Sequence, residues 1–124
     1  MDSHDKVLII DDNEEVLAAL RDYFSQKDYE VFSATNGLDG LKLLESGEHD
    51  FNLIITDLVM PTISGVGIIS IVKKKRPDIP VVAITGWGEH LENLASEANA
   101  DYILEKPFEL SDLEDVLRKV TEQK

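Results

Sequence analysis

Apolar and polar positions fall into repeating blocks along this chain. Short apolar runs occupy about 6–10, 30–34, 51–56, 80–84 and 101–104. Between and after them lie stretches whose apolar residues recur at helical spacing. From Asn13 to Gln26, Val16, Leu17, Leu20 and Phe24 mark one helix face. About 37–46 carries Leu38, Leu41 and Leu44, and about 64–75 carries Ile68, Ile69 and Val72, with Ser64 as its cap. A fourth helix is expected over about 88–98, with Leu91, Leu94 and Ala98. The fifth opens at Ser111-Asp112-Leu113-Glu114 and buries Leu113, Leu117 and Val120. That opening has the form of a capping box, in which Ser and Glu side chains satisfy opposite backbone donors.

Strict alternation of strand and helix predicts an α/β fold: a five-stranded parallel sheet with helices on both faces. Val7–Ile10, Leu53–Ile55 and Val81–Ile84 are almost uninterrupted apolar runs, as central strands covered on both sides require. The runs Glu30-Val31-Phe32-Ser33-Ala34 and Asp101-Tyr102-Ile103-Leu104-Glu105 are more mixed and suit the edges. Edges at the second and fifth strands give the doubly wound, flavodoxin-like order 2-1-3-4-5. In that order strands one and three are neighbours, and ligands sit beyond their carboxyl ends.

Both of those strands end in acid. Val7-Leu8-Ile9-Ile10 runs into Asp11-Asp12, and Phe51-Asn52-Leu53-Ile54-Ile55-Thr56 runs into Asp57. The fold therefore gathers three carboxylates in one crevice. Thr85 ends the fourth strand and Lys106 follows the fifth, so a hydroxyl and an ammonium join them. Two like charges ~4 Å apart repel by about 4 kcal/mol at an effective dielectric near 20. Three such groups must take up a proton, keep their distance or bind a cation. Mg²⁺ suits them, because it takes oxygen ligands and keeps several waters. A carboxylate can also act as a nucleophile and form an acyl phosphate. Asp57 is the best placed, between the acidic pair and the Thr85 and Lys106 side. The metal and Lys106 would neutralise charge on the transferring phosphoryl group.

Composition narrows the functions. The chain has 124 residues, one domain of ordinary size (1–124, core about 6–120), and 43% hydrophobic residues are enough for a core. With 25 acidic against 12 basic residues the net charge is -13, which disfavours direct nucleic-acid contact. The basic cluster Lys73-Lys74-Lys75-Arg76 falls where a helix ends and complements its dipole. Cysteine is absent, so disulfides and thiolate metal sites are excluded. No apolar stretch approaches the ~20 residues of a membrane span. The polar start Met1-Asp2-Ser3-His4 is unlike a signal peptide, and a cytoplasmic setting is expected. His4, His49 and His90 share no ligand spacing and read as surface residues.

These residues resemble those of a response-regulator receiver domain, the phospho-accepting half of two-component signalling. The likeness is to its single-domain, chemotaxis- or sporulation-regulator kind. The matching segments are Leu8-Ile9-Ile10-Asp11-Asp12, Asp57-Leu58-Val59-Met60-Pro61 with Gly65, Ile84-Thr85-Gly86, and Ala100 to Phe108. Each is weak alone. Together, in order at strand ends, they are specific and span about Lys6 to Val120. The resemblance implies that Asp11, Asp12, Asp57 and the Val59 backbone carbonyl hold Mg²⁺. It implies that Asp57 accepts the phosphoryl group from a histidine kinase or histidine phosphotransfer protein, and that Thr85 and Lys106 contact that group. Tyr102 would be an aromatic switch, turning inward when Thr85 moves, and Lys106-Pro107 would be cis. A downstream protein would read the face formed by the fourth helix, fifth strand and fifth helix, where Trp87 and Tyr102 lie. The donor would dock near the first helix, with Val16 and Leu17 as candidates if exposed. Val59 and Trp87 would tune the lifetime of the acyl phosphate.

Taken singly, each residue has a plainer reading. Asp11-Asp12 reads equally as a helix N-terminus, Asp57 as a turn residue, Tyr102 as half-buried filler and Lys106 as a surface lysine. Only their joint occurrence selects the site. The chain is then expected not to be an enzyme beyond catalysing its own phosphorylation and dephosphorylation. An aspartate-nucleophile phosphatase needs a second acid two residues after the nucleophile, and position 59 is Val. A flavodoxin-like cofactor binder needs a phosphate-cradling loop after the first strand, where Asp11-Asp12-Asn13-Glu14-Glu15 would repel phosphate. A receiver-like module that is never phosphorylated, or a receiver piece of a larger regulator or hybrid kinase, remains compatible with the residues. With its end soon after the fifth helix, the chain is expected to act without an effector domain, by partner binding or by phosphoryl transfer.

Overall fold

The computed structural model describes residues 5–58, 65–86 and 99–122. Five strands are present: β1 (Asp5–Ile10), β2 (Tyr29–Ala34), β3 (Leu53–Asp57), β4 (Val81–Thr85) and β5 (Tyr102–Glu105). Four helices are described: α1 (Glu14–Gln26), α2 (Gly37–Glu45), α3 (Gly65–Lys75) and α4 (Leu110–Glu122). The helix expected over 88–98 and the cap at Ser64 lie outside the described residues.

The sheet is parallel throughout, in the order β2-β1-β3-β4-β5. Its register places Ile10 beside Thr56, and Asp57 beside Ile84. The three central strands separate two cores. Leu8, Ile10, Ile54, Val81 and Ala83 pack with α2 and α3 residues such as Leu41, Ile68, Ile69 and Val72. Val7, Ile9, Leu53, Ile55, Val82 and Ile84 pack with Leu17, Leu20, Phe24, Leu113, Val116 and Val120 from α1 and α4. Every strand position in these runs is buried, so period-2 alternation survives only as a choice of core.

Several local expectations are corrected. Asn13 caps α1 from outside: its side chain accepts the Glu15 and Val16 amides at 2.9 and 3.2 Å. The cap of α4 is shifted from Ser111. Its amides at Asp112 and Leu113 turn onto the Glu109 carbonyl, and the Asp112 carboxylate accepts the Glu109 amide at 2.9 Å. Ser111 therefore lies inside the helix. Leu38 is 47% exposed, and the buried side of α2 is made by Gly37, Gly40 and Leu41. Gly40 packs closely on the Ile10 side chain, whose Cδ1 would have to shift to admit a Cβ. His49 is no free surface residue: its ring is 4.2 Å from Phe32 and 5.8 Å from Phe51, centroid to centroid. Lys73 does more than face the helix dipole. It pairs with Asp101 at 2.6 Å and donates to the Ile79 carbonyl at 2.8 Å.

Candidate functional site

The carboxyl ends of β1 and β3 bring Asp11, Asp12 and Asp57 together. One oxygen from each lies within 4.8 Å of the others. Their environments differ. Asp11 is fully buried and Asp57 is 6% exposed, while Asp12 faces solvent. Asp11 is fixed by its own turn, since its Oδ1 accepts the Asn13 amide at 2.8 Å and its amide donates to the Ala34 carbonyl. The turn that caps α1 thus also holds the deepest acid.

Lys106 closes the cluster from the far side. Its Nζ is 3.2 Å from Asp11 Oδ2 and 3.4 Å from Asp57 Oδ2, and it hydrogen-bonds the latter. The contact to Asp11 is an ion pair without hydrogen-bond geometry, so among the described residues the buried Asp11 Oδ2 has no hydrogen-bond donor. Burial alone pulls the Lys106 ammonium down, but the charges of Asp11 and Asp57 outweigh it and its pKa is raised. The ammonium is therefore retained at neutral pH.

Thr85 ends β4 with its side chain wholly buried, and its Oγ1 has no hydrogen-bond partner among the described residues. A buried hydroxyl left unpaired is costly. Main chain ties this strand end to the next, because the Lys106 amide donates to the Thr85 carbonyl at 2.8 Å. Tyr102 on β5 is half-buried against the α1 and α4 core, and its enclosed hydroxyl has no hydrogen-bond partner among the described residues. The Lys106-Pro107 bond is cis. Val59, Trp87 and His90 lie outside the described residues.

The donor set fits a hard divalent cation. Among the described residues it offers three carboxylates, one with a buried oxygen lacking a hydrogen-bond donor, and an exposed side at Asp12 for waters. Beside it, a cleft of about 430 Å³ is lined by Val16, Ala19, Pro107 and Phe108, together with the polar Asn13, Glu15 and Lys106. Val16 thus borders the site, whereas Leu17 is 1% exposed and belongs to the core.

Sequence reasoning missed three contributors. Asn13 shapes the acidic turn; its signal was an Asn directly before Glu14-Glu15 and the helical stripe. Thr56 donates its hydroxyl to the Asp57 carbonyl at 3.0 Å, and nothing in the apolar run marked it. Gly65 packs so closely on Asp57 that a Cβ would overlap the Asp57 carbonyl.

Comparison with known proteins is consistent in sequence and in fold. Residues 7–118 match the family model of the response regulator receiver domain. The response regulator SaeR of Staphylococcus epidermidis is 35% identical over 103 residues, and its Staphylococcus aureus counterpart is 30% identical. Those matches take in 82% of this chain but 44% of each relative, so the chain spans less than half the length of these curated relatives. A receiver domain protein from Clostridium thermocellum superposes with a TM-score of 0.85 at 30% identity, covering 96% of this chain and 95% of that one. A CheY-like receiver protein from Methanospirillum hungatei gives 0.87 at 28%, covering 98% and 97%. The regulator TrrA of Thermotoga maritima, solved with Mg²⁺-BeF, gives 0.82 at 29%, covering 94% and 98%.

Proposed function

The chain belongs to the response regulator receiver family, and from that premise we propose that it is a phospho-accepting switch. A phosphohistidine donor, on a histidine kinase or a phosphotransfer protein, hands its phosphoryl group to Asp57 in a Mg²⁺-dependent step. One observation carries the reading: three carboxylates from the ends of β1 and β3 and an ammonium from the end of β5 converge, and the buried Thr85 hydroxyl at the end of β4 has no partner among the described residues.

The chemistry follows from the groups present. An Asp57 carboxylate oxygen attacks phosphorus, the P–N bond to the donor histidine breaks, and its electron pair returns to the imidazole. Asp11, Asp12 and Asp57 would hold Mg²⁺, which supplies charge neutralisation on the phosphoryl oxygens. Lys106 adds a fixed positive charge from the opposite side. Thr85 has a hydroxyl free to donate to a phosphoryl oxygen that was absent before. Its movement would draw β5 and Tyr102 with it and alter the surface read by a downstream protein. The donor is proposed to enter over the Val16, Ala19 and Phe108 cleft, which opens directly onto Lys106.

Beyond this self-modification we assign no turnover of external substrate. The switch needs neither a membrane nor nucleic acid, and we propose a cytoplasmic setting. No described helix is long and apolar enough to cross a membrane.

The deciding experiment is incubation with Mg²⁺ and acetyl phosphate, followed by intact mass measurement. One phosphoryl adduct is expected on the parent chain and none on Asp57→Asn. An adduct that persists on Asp57→Asn, or that maps to a hydroxyl, overturns the assignment. No adduct with either acetyl phosphate or a kinase donor points to a receiver-fold interaction module instead.

A further inference from the structure

Strand β3 reads Leu53-Ile54-Ile55-Thr56-Asp57, and Thr56 is its one polar side chain besides the acceptor itself. It sits between Ile10 of β1 and Ala83 of β4 and is 0% exposed. Valine has the same shape and a stronger preference for such a place, because a buried hydroxyl costs free energy unless it is hydrogen-bonded. The hydroxyl is bonded, and its partner is the backbone carbonyl of Asp57, 3.0 Å away.

That carbonyl belongs to the peptide joining Asp57 to Leu58. The nitrogen of the same peptide, on Leu58, donates to the Ile84 carbonyl at 3.0 Å. The plane is thus held at its oxygen by Thr56 and at its nitrogen by β4. Gly65 packs against the oxygen, and its amide donates to the Leu58 carbonyl at 3.1 Å. Rotating this plane would shift the Asp57 side chain relative to Asp11 and Lys106, which follow the ends of β1 and β5.

We infer that Thr56 is a positioning residue for the acceptor, orienting Asp57 through its hydrogen bond to the Asp57 carbonyl. The inference rests on the proposed role of Asp57, since it concerns how that carboxylate is aimed. Thr56 touches neither metal nor phosphoryl group in this role.

Two variants isolate the hydroxyl. Thr56→Val removes it while keeping the shape, and Thr56→Ser keeps it while removing a methyl. Three quantities are read on the full chain: melting temperature, Mg²⁺ affinity by calorimetry without phosphodonor, and the rate of adduct formation with acetyl phosphate. Thr56→Val is expected to melt within about 3 °C of the parent. It should nevertheless bind Mg²⁺ about threefold more weakly and form the adduct roughly five- to twentyfold more slowly, because small misplacements of a reacting group are costly. Thr56→Ser should stay within about twofold of the parent in both, whatever it loses in melting temperature.

Parental Mg²⁺ affinity and rate in Thr56→Val would overturn the inference. So would a Thr56→Ser variant as impaired as Thr56→Val, which would assign the effect to packing. A parent that takes up no phosphoryl group refutes the proposed function alone. The Mg²⁺ affinities of the two variants then still decide whether Thr56 aims Asp57.

Discussion

The Lys106 ammonium lies 3.2 Å from Asp11 Oδ2, against the fully buried acid of the pocket. It therefore offsets the same negative charge that a divalent cation would. Replacing it by methionine should separate two effects. Without Lys106 the carboxylates attract Mg²⁺ more strongly, and affinity should rise severalfold. Adduct formation should fall by about tenfold or more, because charge on the transferring group is no longer balanced from that side. Without Mg²⁺, Lys106→Met should unfold about 1–3 kcal/mol more easily, less than a fully buried pair would lose because the ammonium is 24% exposed. Equal loss of Mg²⁺ affinity and rate would show that the variant had damaged the pocket itself.

The same pairing sets a pH window. The Lys106 pKa is raised in the folded chain against the loss from burial, by Asp11 and Asp57. A raised lysine pKa means that the folded state holds the proton more tightly than the unfolded one. Its contribution is then complete below the unfolded pKa of about 10.4 and fades as pH climbs through the higher folded value. Urea unfolding of parent and Lys106→Met should differ by a constant amount between pH 7 and 9. That difference should shrink above about pH 10.5. A difference already vanishing at pH 8 would contradict the assignment.

Gly65 and Gly40 offer a contrast within one chain. A Cβ on Gly65 would overlap the Asp57 carbonyl and crowd Leu58 Cα, which are backbone atoms that cannot step aside. Gly65→Ala should therefore cost at least about 2–3 kcal/mol in urea unfolding and slow the adduct as well. At Gly40 the obstacle is the end of the Ile10 side chain. Gly40→Ala should cost less than about 1 kcal/mol net, since alanine regains helix propensity there. Its phosphoryl uptake should be parental.

Asp101 is a structural acid at the other end of the sheet. Its Oδ2 accepts the Val81 amide at 2.7 Å and pairs with Lys73, which is 11% exposed, at 2.6 Å. Asp101→Ala takes the acceptor from the Val81 amide and the counter-charge from Lys73, which keeps the Ile79 carbonyl, and should lower stability by about 1–3 kcal/mol. Asp101→Asn keeps an acceptor for the amide and should recover part of that. Neither change touches the pocket, so Mg²⁺ affinity of the folded protein should stay parental.

Much of this was legible from residue order alone. Uninterrupted apolar strands betrayed burial on both faces, mixed strands betrayed the edges, and the order 2-1-3-4-5 followed. Acid at the ends of two neighbouring strands located the pocket, because parallel strands deliver their last residues to one rim. What escaped was backbone-mediated. The buried side of α2 is carried by Gly37 and Gly40, which leave no apolar signal, so Leu38 was placed inside. The α4 cap depends on which carbonyl the first amides reach, and the Ser111 to Glu114 pattern cannot distinguish a start at Glu109. His49 reads as a surface residue and Lys73 as a partner of the helix dipole, because the residues that meet them, Phe32 and Phe51 for the one and Asp101 for the other, give no local pattern.

One main-chain bond has a mechanical corollary. The Lys106 amide grips the Thr85 carbonyl, so the hydroxyl and the ammonium are yoked at their roots. Neither strand tip can advance on an incoming anion while its neighbour stays put. A tug felt at Thr85 is delivered to β5 without any side chain having to relay it.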